Sequence, residues 1–389
     1  MKDFTFVSPT KIYFGKNAVQ NLFDAVKDYK KVLLVYGQNS IKKNGIYDQV
    51  VSELNKARVE YFDLSGIRPN PEISKSREGL KIIRDNNIDL VLAIGGGSVI
   101  DTAKSICASY YYDGDPFDLN LHKVNPTKAL PLGVVLTISA SGSELSDSCV
   151  MMDDKTKIKQ GFNSDIVRPA FAIMNPEFTY SVSKYQTGCG IVDIISHSLE
   201  RYFTKSEELE VCDTLALAVI KDTIKAGRVA IQEPYNYDAR AALMLLGAYS
   251  HNGLTSLGKQ KQMPIHQIEH ALSAYDIRIA HGAGLSILIP GWMKASYKND
   301  IDKFVRFAEE LFGIKGNNAE EVALKGIESL KEYFASIGMP TSLKEVEIKK
   351  EDIEPIVDLI TKNGVLVVGQ KSIKPLNKDE LIELYNSVL

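Results

Sequence analysis

The chain has 389 residues, 44% of them apolar, with 46 basic and 49 acidic side chains and a formal charge of −3. That length can bury a full core and predicts two domains, while the near-balance of charge excludes the global field that draws a protein to nucleic acid or an anionic membrane surface. The first ten residues, MKDFTFVSPT, lack an apolar signal core, and no run approaches the ~18 apolar residues needed to cross a bilayer, so a cytoplasmic protein without membrane or nucleic-acid partners is expected. Cys107, Cys149, Cys189 and Cys212 lack CxxC spacing, which predicts free, mostly buried thiols rather than a disulfide frame or a thiolate zinc site.

Short valine- and isoleucine-rich runs at 31–37, 59–64, 88–97 and 132–139 alternate with helical patterns, "GIYDQVVSELNKA" and "EISKSREGLKIIRDNN" among them. Continuous apolar runs suit strands covered on both faces, and their alternation with helices predicts a parallel α/β sheet. From about residue 180 the strand signals fade and apolar i, i+3, i+4 spacing takes over, as in "DTLALAVIKDTIKAG" and "IDKFVRFAEELFG". The expected organisation is therefore 1–180, an α/β nucleotide-binding domain, and 181–389, an all-α domain, with the break in "NPEFTYSVSKYQ".

Within the first domain, "VLAIGGGSVIDTAK" runs from a strand through Gly95, Gly96, Gly97 and Ser98 into a helix carrying Asp101. Glycines at that position let backbone N–H groups at a helix N-terminus approach a phosphate closely. The string is neither GxGxxG nor GxxxxGK[ST], so a ligand-free strand-to-helix turn with Ser98 and Asp101 as caps is the competing reading. A second turn, "LTISASGSELS", offers Thr137 and Ser141 and also follows a strand, which favours one shared ligand crevice. The turn after the first clear strand contains Gly37, Gln38, Asn39, Ser40, Lys42 and Lys43 but no acid. A ribose 2'-hydroxyl is usually held by a carboxylate and a 2'-phosphate rejects one, so NADP(H) is expected ahead of NAD(H), although a solvated loop accounts equally for the lysines.

In the second domain Asp193 and His197 stand four apart, a pair that chance alone produces for about one histidine in eight. "PIHQIEHALSAYDIRIAHGAGL" then packs His266, His270 and His281 into sixteen residues, where chance predicts about a quarter of one histidine. His266 and His270 again share a helical face, and His281 precedes what reads as a glycine turn. "HQIEH" lacks the glutamate that HExxH needs directly after its first histidine, which excludes a zincin. A carboxylate with several imidazoles and an open position suits a Lewis-acidic Fe(II) or Zn(II); histidines satisfied separately in a helical core are the alternative. His122 and His251 read as structural or surface residues.

Together with "PTKIYFG", "RPNPE", "GGGSVIDTAK", "SASGSE", "GIVDIISHSLE", "HQIEHALSA" and "HGAGLSILIP", in that order, the chain resembles the iron-containing, or group III, alcohol dehydrogenases, most closely the NADPH-dependent butanol dehydrogenase type. The resemblance implies a Rossmann-like amino-terminal domain and a helical carboxyl-terminal domain, the dehydroquinate synthase-like architecture, with cofactor and metal in the cleft between. It implies metal ligands Asp193, His197, His266 and His281, with iron ahead of zinc, and His270 beside the substrate as a proton-transfer residue. It also implies a pyrophosphate loop of Gly95, Gly96, Gly97 and Ser98 with Asp101 close by, Thr137 and Ser141 on the nicotinamide side, Lys159 on the cofactor, Gly37, Asn39 and Ser40 near the adenosine ribose, and a homodimer. Two departures stand out: His270 and His281 are one residue farther apart than in the subgroup pattern, and "GQNS" replaces a more glycine-rich turn.

The expected reaction is reversible hydride transfer between NAD(P)H and a short-chain aldehyde or primary alcohol. A non-redox lyase or synthase of the dehydroquinate synthase kind is the alternative; the small and apolar residues flanking the histidines, Ala271, Leu272, Ala274 and Leu285, favour aliphatic substrates. A nucleotide-binding regulator without catalysis is the third reading, disfavoured because every inferred ligand is present.

Overall fold

A computed structural model describes residues 3–204, 210–259 and 262–389. Its contacts divide the chain into two units: 7–182 with 235–248, and 183–234 with 249–389 and the amino-terminal residues to Phe6.

The first unit is built on a six-stranded sheet. β1 (Lys11–Phe14), β2 (Lys31–Tyr36), β3 (Glu60–Leu64), β4 (Leu90–Gly95), β5 (Leu132–Leu136) and β8 (Phe171–Met174) lie in the order β1-β8-β5-β4-β2-β3, and every pairing is parallel. The four apolar runs of the sequence become β2 to β5. β1 and β8 were not separately legible: each has four residues, β1 is half exposed, and "FAIM" is too short for its period to mark it. β6 (Ser148–Met152) and β7 (Lys159–Asn163) form a separate antiparallel hairpin.

Alternation along β4 explains the layers: Val91 and Ala93 enter one apolar core, Leu90, Leu92 and Ile94 the other. Helices cover both faces, as a parallel sheet requires. They are α1 (Leu22–Val26), α2 (Ser40–Lys43), α3 (Ile46–Ala57), α4 (Ile73–Asn86), α5 (Gly97–Ser109) and α6 (Phe117–Asn120). Because the chain steps outward from β2 to β3 and then returns to place β4 on the other side of β2, the strand order reverses between β2 and β4. Crevices for nucleotides form beside such a reversal, at the carboxyl ends of the strands.

The second unit is helical among the described residues: α7 (Lys184–Tyr202), α8 (Glu210–Gln232), α10 (Pro264–Tyr275), α11 (His281–Ser296), α12 (Ile301–Phe312), α13 (Ala319–Ser336), α14 (Lys350–Thr361) and α15 (Lys378–Ser387). α9 (Tyr237–His251) gives Met244 and Ala248 to the core of the sheet unit and its last turn to the helical one. α7 starts where Ser183 accepts a hydrogen bond from Gln186 N (3.2 Å), and it is buried on nearly every side between α8 and α11. No helix among the described residues is long and apolar enough to cross a membrane, and all four cysteines are free and buried.

Candidate metal and nucleotide site

The helical unit collects five imidazoles. α7 presents Asp193, His197 and Glu200 at i, i+4 and i+7, one face of a helix. α10 presents His266, Glu269 and His270, and α11 begins at His281. Asp193 Oδ1 lies 3.4 Å from His266 Nε2, 3.5 Å from His197 Nδ1 and 3.7 Å from His281 Nε2. Asp193, His266 and His281 form one set with ligand atoms within 4.8 Å of one another, and Glu269, His270 and His281 form an adjoining one within the same distance. His197 sits at the edge of the first set, its ring 4.6 Å from that of His266, and His270 lies 5.6 Å from His281 and 6.4 Å from His266.

Asp193 Oδ1, His197 Nδ1 and His266 Nε2 are buried and make no hydrogen bond, although a folded chain leaves few such atoms unsatisfied. The other ring nitrogens are committed: His266 Nδ1 bonds Glu200 Oε2, and His281 Nδ1 bonds Glu269 Oε2. Both carboxylates are fully buried. Imidazoles held in this way keep Nε2 as a lone-pair donor, the pattern that accompanies metal-ligating histidine.

Charge points the same way. Asp193, Glu200 and Glu269 bring three buried carboxylates, against which Arg201, donating to His197 O at 2.6 Å, sets one positive charge. Buried carboxylates in excess are costly unless a cation compensates them. Burial holds His197 neutral, well below the usual histidine range. Burial opposes charge on His266 too, but Glu200 and Asp193 outweigh it and push that group up to about 9, so in the metal-free chain a proton takes the place of a cation. The residues therefore fit a divalent ion with one oxygen and several nitrogen donors. Of the four expected ligands His281 is the most open, with 28% of its side chain exposed, which leaves the approach from that side for a small substrate.

The sheet unit assembles the nucleotide candidates by register. Tyr36 pairs with Ile94 and Gly95 with Leu136, so the turns holding Gly37, Asn39 and Ser40, then Gly95 to Ser98, then Thr137 and Ser141, lie side by side at the carboxyl edge of β2, β4 and β5. Thr137 N donates to Gly95 O at 3.1 Å. None of the three glycines has a positive φ; their need is space. A Cβ on Gly95 would stand 2.6 Å from Val99 Cγ2, and one on Gly97 2.5 Å from Ser141 Oγ. Asp101 turns its carboxylate to Ser143 Oγ (2.6 Å) and Val150 N (3.0 Å), pinning the second turn and the hairpin to α5; burial raises it above the usual carboxylate range. Lys159 donates to Asn70 Oδ1 at 2.9 Å, and Asn39 stands at the N-cap position directly before the short helix α2.

Residues 9–176 match the family described as iron-containing alcohol dehydrogenase, and residues 187–389 match its carboxyl-terminal domain. The chain belongs to the iron-containing alcohol dehydrogenase family. It is 40% identical over 388 residues to the NADH-dependent butanol dehydrogenase A of Clostridium acetobutylicum, covering 99% of both chains. It is 31% identical to the NADPH-dependent aldehyde reductase YqhD of Escherichia coli, over 95% of this chain and 96% of that one. Among solved structures, an NADH-dependent butanol dehydrogenase A from Thermotoga maritima superposes with a TM-score of 0.95 at 39% identity, over 100% of this chain and 99% of that one.

Against this family background, three details of the sequence reading change. "HGAGL" is no turn but the first turn of α11: Gly282 and Gly284 have ordinary helical backbone, and they are glycines because Cys189 and Glu269 occupy the space of their Cβ atoms. His251 does not stand alone, since its ring meets that of His197 edge-on at 4.1 Å; no local spacing signals that contact. Glu200 and Glu269 went unassigned. The i+7 position of Glu200 after Asp193 carried a signal, whereas the glutamate of "HQIEH", Glu269, carried none beyond its failure to fit HExxH.

Proposed function

We propose that this chain is an iron-dependent alcohol dehydrogenase and aldehyde reductase acting on short-chain aldehydes or primary alcohols of the butanol and butyraldehyde type. The observation that carries the reading is the set of buried, hydrogen-bond-free donors on Asp193, His197 and His266, gathered beside His281. When bound, the nicotinamide supplies or accepts the hydride and the cation polarises the carbonyl oxygen. Asp193, His197, His266 and His281 would hold the cation, with Fe(II) ahead of Zn(II). His270, beside them, would give the proton that the substrate oxygen takes up on reduction.

Residues 1–180 would hold the dinucleotide and 181–389 the metal. Gly95, Gly96, Gly97 and Ser98 would carry the pyrophosphate, with Asp101 bracing the turn behind them, Thr137, Ser141 and Lys159 would contact the nicotinamide half, and Gly37, Asn39 and Ser40 the adenosine ribose. The acid-free "GQNS" turn supports NADP(H) ahead of NAD(H), whereas the likeness to NADH-dependent butanol dehydrogenases at 38–40% identity speaks for NADH; the ratio of kcat/KM for the two cofactors decides between them. A cytoplasmic homodimer is proposed on the family likeness alone.

Anaerobically purified protein incubated with NADPH and butyraldehyde should lose absorbance at ~340 nm, the band of the reduced nicotinamide, and His266→Ala should lose both metal and turnover. A fully active His266→Ala protein without metal would overturn this reading. The likeness to a butanol dehydrogenase and an aldehyde reductase along nearly the whole chain disfavours the non-redox synthase alternative.

A further inference from the structure

Glu200 and Glu269 are fully buried carboxylates outside the expected ligand set. We propose that they are positioning residues for the metal centre, fixing His266 and His281 as Nδ1–H tautomers with Nε2 aimed at Asp193; this rests on the metal-centre reading above. The three helices form a relay. α7 supplies Asp193 and His197 and, through Glu200, orients His266 on α10. In turn α10 supplies His266 and, through Glu269, orients His281 on α11.

Each carboxylate is built into place. Glu200 Oε1 accepts from Ile265 N (2.6 Å) and His266 N (3.3 Å) at the amino end of α10, so the group that orients the ring also caps the backbone carrying it. Glu269 reaches across the turn 276–280 to His281, and the chain leaves it room: a Cβ on Gly284 would stand 2.8 Å from Glu269 Cγ and 2.9 Å from Oε1. A carboxylate retained only for stability would be replaceable by an apolar side chain of similar volume at little cost. One that sets a ligand's tautomer would not, because its loss frees the ring to rotate or to carry its proton on Nε2.

Glu269 is the cleaner test, since Glu200 also caps a helix. The probe is Co(II), its affinity measured by chelator competition and its environment by visible absorption, on wild type, Glu269→Leu, Glu269→Gln and Gly284→Ala. Glu269→Leu should lose roughly 10- to 100-fold in Co(II) affinity and change the spectrum. Glu269→Gln, whose amide oxygen still accepts from Nδ1, should retain most of the affinity, and Gly284→Ala, which crowds Glu269, should fall between. If Glu269→Leu does not fold, Gly284→Ala and Glu269→Gln keep the comparison alive. In histidine-¹⁵N spectra of the Zn(II)-loaded wild type, His281 should carry its proton on Nδ1. Co(II) affinity in Glu269→Leu or Gly284→Ala equal to wild type with an unchanged spectrum, or His281 protonated on Nε2, would overturn the proposal. A wild-type protein that binds no Co(II) would instead remove the metal-centre reading beneath it.

Discussion

Gly282→Ala should strip the metal from a protein that still folds. A Cβ at 282 would lie 2.5 Å from Cys189 Cα and 2.6 Å from its carbonyl carbon, whereas ordinary contact begins at 3.4 Å. Both are backbone atoms of α7, so no side chain can swing aside, and α11 must withdraw by about 1 Å at a cost of roughly 1–3 kcal/mol. His281 directly precedes the substituted residue and Asp193 lies one turn beyond Cys189, so the withdrawal acts on the 3.7 Å separation of His281 Nε2 and Asp193 Oδ1. Metal–ligand distances tolerate only about 0.2 Å, so the stability loss should be modest and the metal loss severe. Elemental analysis beside thermal unfolding of the apo protein measures both. Gly291→Ala, in the same helix but far from the ligands in sequence, meets a side-chain atom, Val388 Cγ1, at 2.6 Å and should lower stability alone. Full metal content in Gly282→Ala would refute the reasoning.

Gly97→Ala should weaken NADPH binding about tenfold or more by fluorescence titration, because its Cβ meets Ser141 Oγ; adding Ser141→Gly should recover part of the loss, and no recovery would show that packing between the two turns is not the cause. Burial raises the Glu144 carboxyl from its ordinary 4.5 to about 7. A raised folded pKa gives a contribution complete below about pH 4.5 and lost as pH rises through about 7. Relative to wild type, Glu144→Gln should thus gain on the order of 3 kcal/mol between pH 4.5 and 8.5; a denaturation midpoint difference independent of pH would contradict this. Chelation should lower the melting temperature of wild type, because a ligand of the folded state stabilises it by mass action, and leave that of His266→Ala unchanged; an equal drop in both would place the stabilising metal elsewhere.

Much of the fold was legible because burial leaves a period. β2, β4 and β5 read as unbroken apolar runs since helices cover both faces of the sheet there, and the helical unit read through its 3.6-residue spacing. β1 and β8 did not, since four residues carry too little pattern to separate a strand from a loop. The metal candidates stood out by chemistry, histidine being scarce elsewhere in the chain. Of their supporting groups, Glu200 was marked only by its i+7 place after Asp193, while Glu269 was hidden because glutamate is common: only the folded helices show that it faces inward. The glycines of "HGAGL" suggested a turn, but they sit in helical backbone and make room for Cys189 and Glu269, contacts distant in sequence that no local pattern encodes. His251 meets His197 only through the path of α9, which no local motif encodes.

The central claim is that one carboxylate and three imidazoles share a single cation. X-ray absorption at the metal edge of anaerobically purified protein tests it most directly: the account predicts one metal per chain with oxygen and nitrogen scatterers at about 2.0–2.2 Å, whose signal disappears in Asp193→Ala. Sulfur scatterers, or a spectrum unchanged in Asp193→Ala, would contradict it.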